Sequence, residues 1–392
     1  MRPGPSQDEI RRQNLGALLR HVHVHGPTSR AELTAALGLN RSTIGALTAD
    51  LAAARLVSEG APRGTGRAGR PSPVVRPESR VYALALSIQV DQLRAARIGL
   101  GGELLDQLEC GREPGTSAKE VAPLLAALVA RMRSGLPADA VCAGAAVAVC
   151  GLVRRDDGVV RLAPHTGWLD EPLGEALTAE LELDSPVAVG NVADLAALGE
   201  HTRGVAVGCD DVIYLHGDVG IGAGIIAAGR PVTGHGGYGG EVGHMVVRPG
   251  GHPCSCGSRG CWETEIGEQA LLRAAGMPEV RGPGAVRAVL RPTGRNAAVV
   301  QSAVREAGDW LGFGVANLVN IFNPQMVVFG GTLRDVYLAS ATRVRSRLTE
   351  MALGPGREQL RLRTPQLGDD AALIGAAELA FAPLLADPLE AV

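Results

Sequence analysis

Three of the seven cysteines fall within eight residues, at Cys254, Cys256 and Cys261, and His244 stands ten residues upstream of the first. Three thiolates and an imidazole form a donor set that zinc takes as a closed tetrahedron, with no position left for water. Such a Zn2+ site is structural: it holds chain in place rather than activating a nucleophile. Two other readings fit the same residues, a Cys254–Cys256 disulfide, strained at that spacing, and plain reduced thiols. His252 rivals His244 as the fourth donor. The spacing favours zinc. The other cysteines, Cys110, Cys142, Cys150 and Cys209, are scattered through apolar or mixed sequence, which suits reduced thiols in a cytoplasm.

A second chemistry is written in charge. Residues 1–80 hold twelve arginines against six acidic residues, a net +6, which leaves −9 to the remainder of a chain whose total is −3. A basic head on an acidic body suggests that the head meets a polyanion. The elements that would carry those arginines are legible. Leu15, Leu18, Leu19 and Val22 lie on one stripe of a first helix, ended by Gly26-Pro27. Thr28 or Ser29 can cap a second helix carrying Leu33 and Leu37, and Gly38 supplies a turn. Asn40 can cap a third, from Arg41 to about Ala54, with Ile44, Leu47 and Leu51 inward. Two short helices across a glycine turn describe a helix-turn-helix, whose second helix enters the major groove near its N-terminus. The candidate base readers are Arg41, Ser42 and Thr43, with Ala46 and Thr48 on the same side. Leu56-Val57 and Val74-Val75 then flank a Gly/Arg-rich tip, as in a winged hairpin. Arg63, Arg67 and Arg70 could enter a narrow minor groove from it. A flexible linker is the plainer reading of the same stretch.

The chain as a whole has ordinary globular composition, 46% hydrophobic and 20% charged. No secretory leader is expected at the N-terminus. The longest apolar run, Val141–Val153, is too short to span a bilayer and suits a buried strand. Strands are expected at 81–90, 92–100, 141–153, 186–189, 211–216 and 326–329, and helices at 193–200 and 298–320. The alternation predicts an α/β body with glycine turns at strand ends, where ligands commonly sit.

The cysteine loop CSCGSRGCWE resembles the C-x-C-G-x-x-G-C-x-E signature of the ROK family (repressors, open reading frames and sugar kinases). Glu241-Val242-Gly243-His244 is similar to that family's E-x-G-H. Gly220–Ile226, Pro164–Trp168, Asn191 with Ala196–Glu200, and Asn323–Gly331 match further motifs. The resemblance covers residues 80–385, and the basic head resembles the winged helix-turn-helix of the family's transcription factors. It implies an actin/hexokinase-like two-lobed α/β body (80–392) behind a small winged helix-turn-helix domain (1–79). It also implies zinc on His244, Cys254, Cys256 and Cys261, and a sugar held by Asn191, Glu241, His244 and Glu263.

The family's kinases place an aspartate directly after the asparagine, and here that position is Val192, with Asp194 two residues on. Their D-x-G-G-T corresponds to Ser87–Asp91, without the glycines that let backbone N–H groups approach phosphate. Their G-T corresponds to Asp218-Val219. The expected function is therefore not enzymatic: a sugar-responsive transcriptional regulator, in all expectation a repressor, that binds double-stranded operator DNA as a homodimer or homotetramer in the cytoplasm. The competing readings are an active ATP-dependent sugar kinase with a DNA-binding head, and a DNA-binding dimer whose body takes no ligand.

Overall fold

The computed structural model describes residues 6–61, 72–277, 283–290 and 297–390. The arginine-rich tip with Arg63, Arg67 and Arg70 lies outside the described residues.

The head begins with α1 (Gln7–His25), β1 (Thr28–Ser29), α2 (Arg30–Leu37) and α3 (Arg41–Ala53), followed by β2 (Val57–Gly60) and β3 (Val74–Pro77). Each helix starts where a side chain can take up an orphan amide. The Ser6 hydroxyl accepts from Glu9 N, Ser29 and Glu32 form a reciprocal capping box, and Asn40 Oδ1 accepts from Thr43 N at 2.8 Å. Gly38 ends α2 in the left-handed conformation that the turn requires. The strands pair antiparallel in the order β1-β3-β2, the expected wing. Leu15, Leu18, Leu19, Val22, Leu33, Ile44, Leu47 and Leu51 are buried together, and their core runs on into body residues Val81, Leu100, Phe381 and Leu384.

The first lobe contains β4 (Val81–Ile88), β5 (Gln92–Gly99), β6 (Leu104–Gly111), α4 (Ala118–Arg133), β7 (Val141–Val149), β8 (Leu152–Val153), β9 (Val160–Ala163), β10 (Trp168–Glu171), α5 (Leu173–Leu181), β11 (Ala188–Asn191) and α6 (Val192–Arg203). The expected strand through Val153 stops at Val149, because the chain turns at Cys150-Gly151, where Gly151 has φ 151°. The second lobe contains β12 (Val212–Gly217), β13 (Ile221–Ala227), β14 (Arg230–Pro231), α7 (Glu263–Ile266), α8 (Glu268–Ala274), α9 (Pro283–Leu290), α10 (Ala297–Phe322), β15 (Met326–Gly331), α11 (Thr332–Met351), α12 (Gly354–Glu358), β16 (Arg361–Arg363) and α13 (Ala371–Ala386).

The two lobes repeat one plan. Each has a five-stranded sheet, ordered β6-β5-β4-β7-β11 and β14-β13-β12-β15-β16. In each, an antiparallel meander of three strands continues into two parallel ones. Helices α4 and α5 cover the outer face of the first sheet, and α10 and α11 pack together over the second. Between the sheets lie α6, against β12 and β13, and α13, against β4 and β7. This is the expected two-lobed α/β body. Its ligand-accessible strand ends meet at the interlobe cleft.

Candidate functional site

The cysteine loop is folded by close backbone contacts before any ion is considered. Gly243 sits in a 3-10 turn laid flat on β13, where a Cβ would collide with the Ile221 carbonyl. That contact fixes Glu241 and His244 at either end of the turn. Gly260, with φ 73°, lets the loop return against the Arg248 carbonyl. Isolated bridges join Val246 to Cys261 and Pro253 to Arg259. Trp262 is fully buried and donates Nε1–H to the Trp310 carbonyl at 2.8 Å, pinning the loop to α10.

The donor atoms of His244, Cys254, Cys256 and Cys261 all lie within 4.8 Å of one another. A tetrahedral zinc with bonds of about 2.3 Å to sulfur and about 2.0 Å to nitrogen separates two sulfurs by about 3.8 Å and sulfur from nitrogen by about 3.5 Å. Cys256 Sγ and Cys261 Sγ are 3.7 Å apart, and Cys254 Sγ is 3.5 Å from His244 Nδ1. The residues fit the metal. All seven cysteines are free, so the Cys254–Cys256 disulfide does not form. His252 is exposed and stands outside the cluster. Burial and the facing Glu263 carboxylate, 2.9 Å away, push the Cys254 thiol up. A divalent cation at the centre would reverse that effect.

The loop walls a cavity of ≈ 170 Å³ in the interlobe cleft. Asn191, Glu241, His244 and Glu263 all line it, so the four residues expected to hold a sugar come together. His244 Nδ1 turns to Cys254 and Glu263, while Nε2 lies 3.8 Å from Glu241. One imidazole thus faces the metal set on one side and the cavity carboxylate on the other. Asn191 is partly committed as the cap of α6: its Oδ1 accepts from Ala193 N at 2.7 Å and its Nδ2 donates to the Gly151 carbonyl at 2.9 Å. One amide N–H and one lone pair remain for a ligand.

Val192, not Asp194, lines the cavity. Asp194 is instead half-buried near Glu241 and pushed up to about 7, by burial first and by Glu241 second, with Arg155 opposing. Glu241 is itself raised by burial and by Glu263, against His244. Because the folded-state value of Asp194 exceeds its ordinary 3.8, its cost to stability is absent well below pH 3.8 and grows as pH rises towards 7. Asp194→Asn should therefore stabilise the protein by about 2–4 kcal/mol at pH 8, at about 1.4 kcal/mol per pH unit, and by only about 0.5 kcal/mol at pH 4. Thermal melts at both pH values test this, and an equal shift at each would show that the buried charge is not the cost.

His216 and Arg112 escaped sequence reading, while Asp218 did not. His216 and Asp218, at the end of β12, form a wall between this cavity and a second of ≈ 400 Å³, and Val192 borders both. His216 Nδ1 is buried and finds no partner among the described residues. The second cavity is bordered by Gln89 and Gln92 at the β4–β5 turn and by Gly331-Thr332 at the start of α11. Arg112 stacks over Trp168 at 5.0 Å and donates to the Gln89 and Val90 carbonyls. It ties the small β8-β9-β10 sheet, whose Leu162 lines the first cavity, to the end of β4. Asp218 was legible from its place in the kinases' G-T motif, whereas the usable signal for His216 was position alone, at the carboxyl end of a parallel strand.

In the head, Arg41, Ser42 and Ala46 are exposed on α3 and Thr43 is partly so. Thr48 is a correction. It is fully buried, and its hydroxyl donates to the Ile44 carbonyl at 2.6 Å. The apolar face of α3 is wide enough to include position 48 beside Leu47 and Leu51, so Thr48 faces the head's core and not solvent. No helix among the described residues is long and apolar enough to cross a membrane.

The sequence profile of the ROK family matches residues 84–382. A xylose repressor of Bacillus subtilis (strain 168) is 27% identical over 372 residues, 94% of this chain and 95% of its own length. The crystal structure of a ROK family transcriptional regulator, a homolog of the E. coli MLC protein, superposes with a TM-score of 0.80 at 24% identity, over 97% of this chain and 98% of that one. A ROK family glucokinase from Streptomyces griseus, in complex with glucose and AMPPNP, superposes with a TM-score of 0.64 at 28% identity, over 76% of this chain and 98% of its own.

Proposed function

The chain belongs to the ROK family, and from that premise we propose that it is a sugar-responsive DNA-binding repressor whose kinase-like body senses a sugar and does not phosphorylate it. The observation that carries the reading is coverage. The xylose repressor runs along 94% of the chain, head included, whereas the glucokinase accounts for 76%. In this reading residues 1–79 are the DNA-binding head and 80–392 the effector-binding and oligomerisation body. Arg41, Ser42 and Thr43, at the N-terminus of an exposed helix, are the base readers. Paired heads in a homodimer or homotetramer would match a palindromic operator.

The effector is a monosaccharide held by Asn191, Glu241, His244 and Glu263. Carboxylates accept from its hydroxyls, and the asparagine amide can both donate and accept. D-xylose is the first candidate, from the name of the relative. His244, Cys254, Cys256 and Cys261 bind a structural Zn2+ that holds His244 and Glu263 in register. Retention of all four sugar-facing residues around one cavity favours a sensor over a body that takes no ligand.

A thermal-shift screen against sugars and sugar phosphates, with and without Mg-ATP, tests the reading. An effector at about 100 times its Kd should stabilise by about 2.7 kcal/mol, and the same sugar should weaken binding to selected operator DNA. Stabilisation by Mg-ATP with release of ADP would return the protein to the kinases. For the head, Arg41→Ala should weaken operator binding by about 1–3 kcal/mol while barely changing random-DNA binding. Equal losses in anisotropy titrations on both DNAs would make Arg41 a phosphate contact instead.

A further inference from the structure

The sugar-facing cavity and the DNA-binding head are far apart in sequence, yet one helix touches both. We propose that α6 carries effector occupancy to the head, with Arg203 as the joint through which it grips α1. This rests on the regulator reading above and names how its two ends communicate.

The cavity end of α6 is Asn191-Val192. Asn191 caps the helix and Val192 borders the cavity, so a ligand touching either residue touches the helix terminus directly. Twelve residues later, about 18 Å along the axis, Arg203 spends its guanidinium on the head and on α13. Nε donates to Glu378 Oε1 at 2.5 Å, Nη1 to the Gly101 carbonyl at 3.1 Å and Nη2 to the His23 carbonyl at 3.1 Å. His23 belongs to α1. Its Nδ1 lies 2.5 Å from the Leu100 carbonyl, which can only accept, so Nδ1 is the donor. Its Nε2 then faces both Glu378 Oε2 at 2.9 Å and Arg203 Nη2 at 2.8 Å. The side chains of His23, Glu378 and Arg203 are only 1%, 7% and 12% exposed.

The span between the two ends is stiff. Val192, Ala193, Leu195, Ala196, Ala197, Gly199 and Glu200 are all buried. A Cβ on Gly375 of α13 would collide with the Leu195 carbonyl, and one on Gly199 with the Ala371 carbonyl, so the two helices meet backbone to backbone. At these two crossings no side chain separates the backbones, and the packed core around them leaves α6 and α13 to shift as one body. The far end of α13 meets the head again, where Gly16 of α1 lies against the Leu385 carbonyl. A displacement at the cavity therefore reaches α1 at two places, and at one of them the contact is a buried charge cluster. Such a cluster resists intermediate positions, because each charge must keep a partner. It suits a head with discrete placements rather than a sliding one.

The experiment measures operator binding by anisotropy, with and without the sugar that stabilises the wild type, D-xylose being tested first, and sugar affinity by calorimetry. Arg203→Lys keeps the charge but not the planar fork. A second variant, Arg203→Met with Glu378→Leu, replaces the charges by apolar side chains of similar size, so that neither is left buried alone. We expect both to bind sugar within about 3-fold of wild type. We also expect both to lose most of the sugar-induced change in operator affinity, by at least 5-fold. A merely structural joint would lower the melting temperature and leave that ratio intact. Full sugar-induced release in both folded variants would overturn α6 as the route while leaving the regulator reading standing. A wild type whose DNA binding ignores every sugar in the panel would overturn the regulator reading, and the coupling with it.

Discussion

Cys261→Ser is expected to empty the metal loop and lower the melting temperature by about 6–12 °C. Cys261 is the buried member of the set, and it closes a segment whose tip is exposed. Residues 255–259 are exposed, and the segment is fastened by two isolated bridges, the anchored Trp262 and backbone hydrogen bonds such as Cys254 N to the Ser258 carbonyl and Gly260 N to the His252 carbonyl. Four metal bonds would add to those backbone contacts by fixing the exposed tip of the loop. A structural zinc contributes folding energy outright, and more than 10 kcal/mol in small peptides that have no other core. Here α10 and the second sheet remain folded without it, so a loss of about 3 kcal/mol is the fitting scale, at about 2–4 °C per kcal/mol for a domain of this size. Metal analysis of the wild type should find about one zinc per chain, and a chelator should reproduce the mutant's melting shift. The chelator should then do nothing further to Cys261→Ser, which separates metal loss from loss of a packed side chain. Effector affinity should fall as well, because His244 and Glu263 stand on the loop. A metal-free wild type with an unchanged melting temperature would sink the zinc assignment.

What the sequence made legible, and what it hid, follows from how far apart the partners are. The cysteine loop is local: its ligands lie within eighteen residues, and their types restrict the chemistry by themselves. The head was readable for the same reason, since caps and apolar stripes act within one or two turns. Thr48 was misplaced because a three-residue stripe of Ile44, Leu47 and Leu51 understates the width of a buried helix face. His216 and Arg112 were invisible as site residues because their neighbours come from strands and turns tens of residues away. The Arg203–Glu378–His23 cluster joins positions up to 355 apart in sequence. No periodicity connects such positions, and only the tertiary fold brings them together.

The last expectation concerns catalysis: neither the wild type nor Val192→Asp should phosphorylate a sugar above background. A phosphoryl transfer to a hydroxyl needs a base within reach of the proton and a cradle for the polyphosphate. Val192 borders the smaller cavity and offers no base, and Asp194 lies near Glu241. Absence of a base accounts for a deficit of roughly 10²–10⁴-fold, which one substitution could in principle restore. The co-substrate side is altered separately. Asp218 stands in the wall between the two cavities, and Gln89 occupies the β4–β5 turn that borders the larger one. A carboxylate there repels phosphate, and a new Asp at position 192 would be buried near it, adding desolvation and like-charge cost. Coupled ADP-release and sugar-phosphate assays with Mg-ATP, on both proteins, decide the matter. If Val192→Asp gained 100-fold or more, the phosphate machinery would be intact and the protein a kinase silenced at one residue. If both stay at background, the cleft has given up phosphate recognition along with its base, and a bound sugar can act only by shifting the lobes and helices around it.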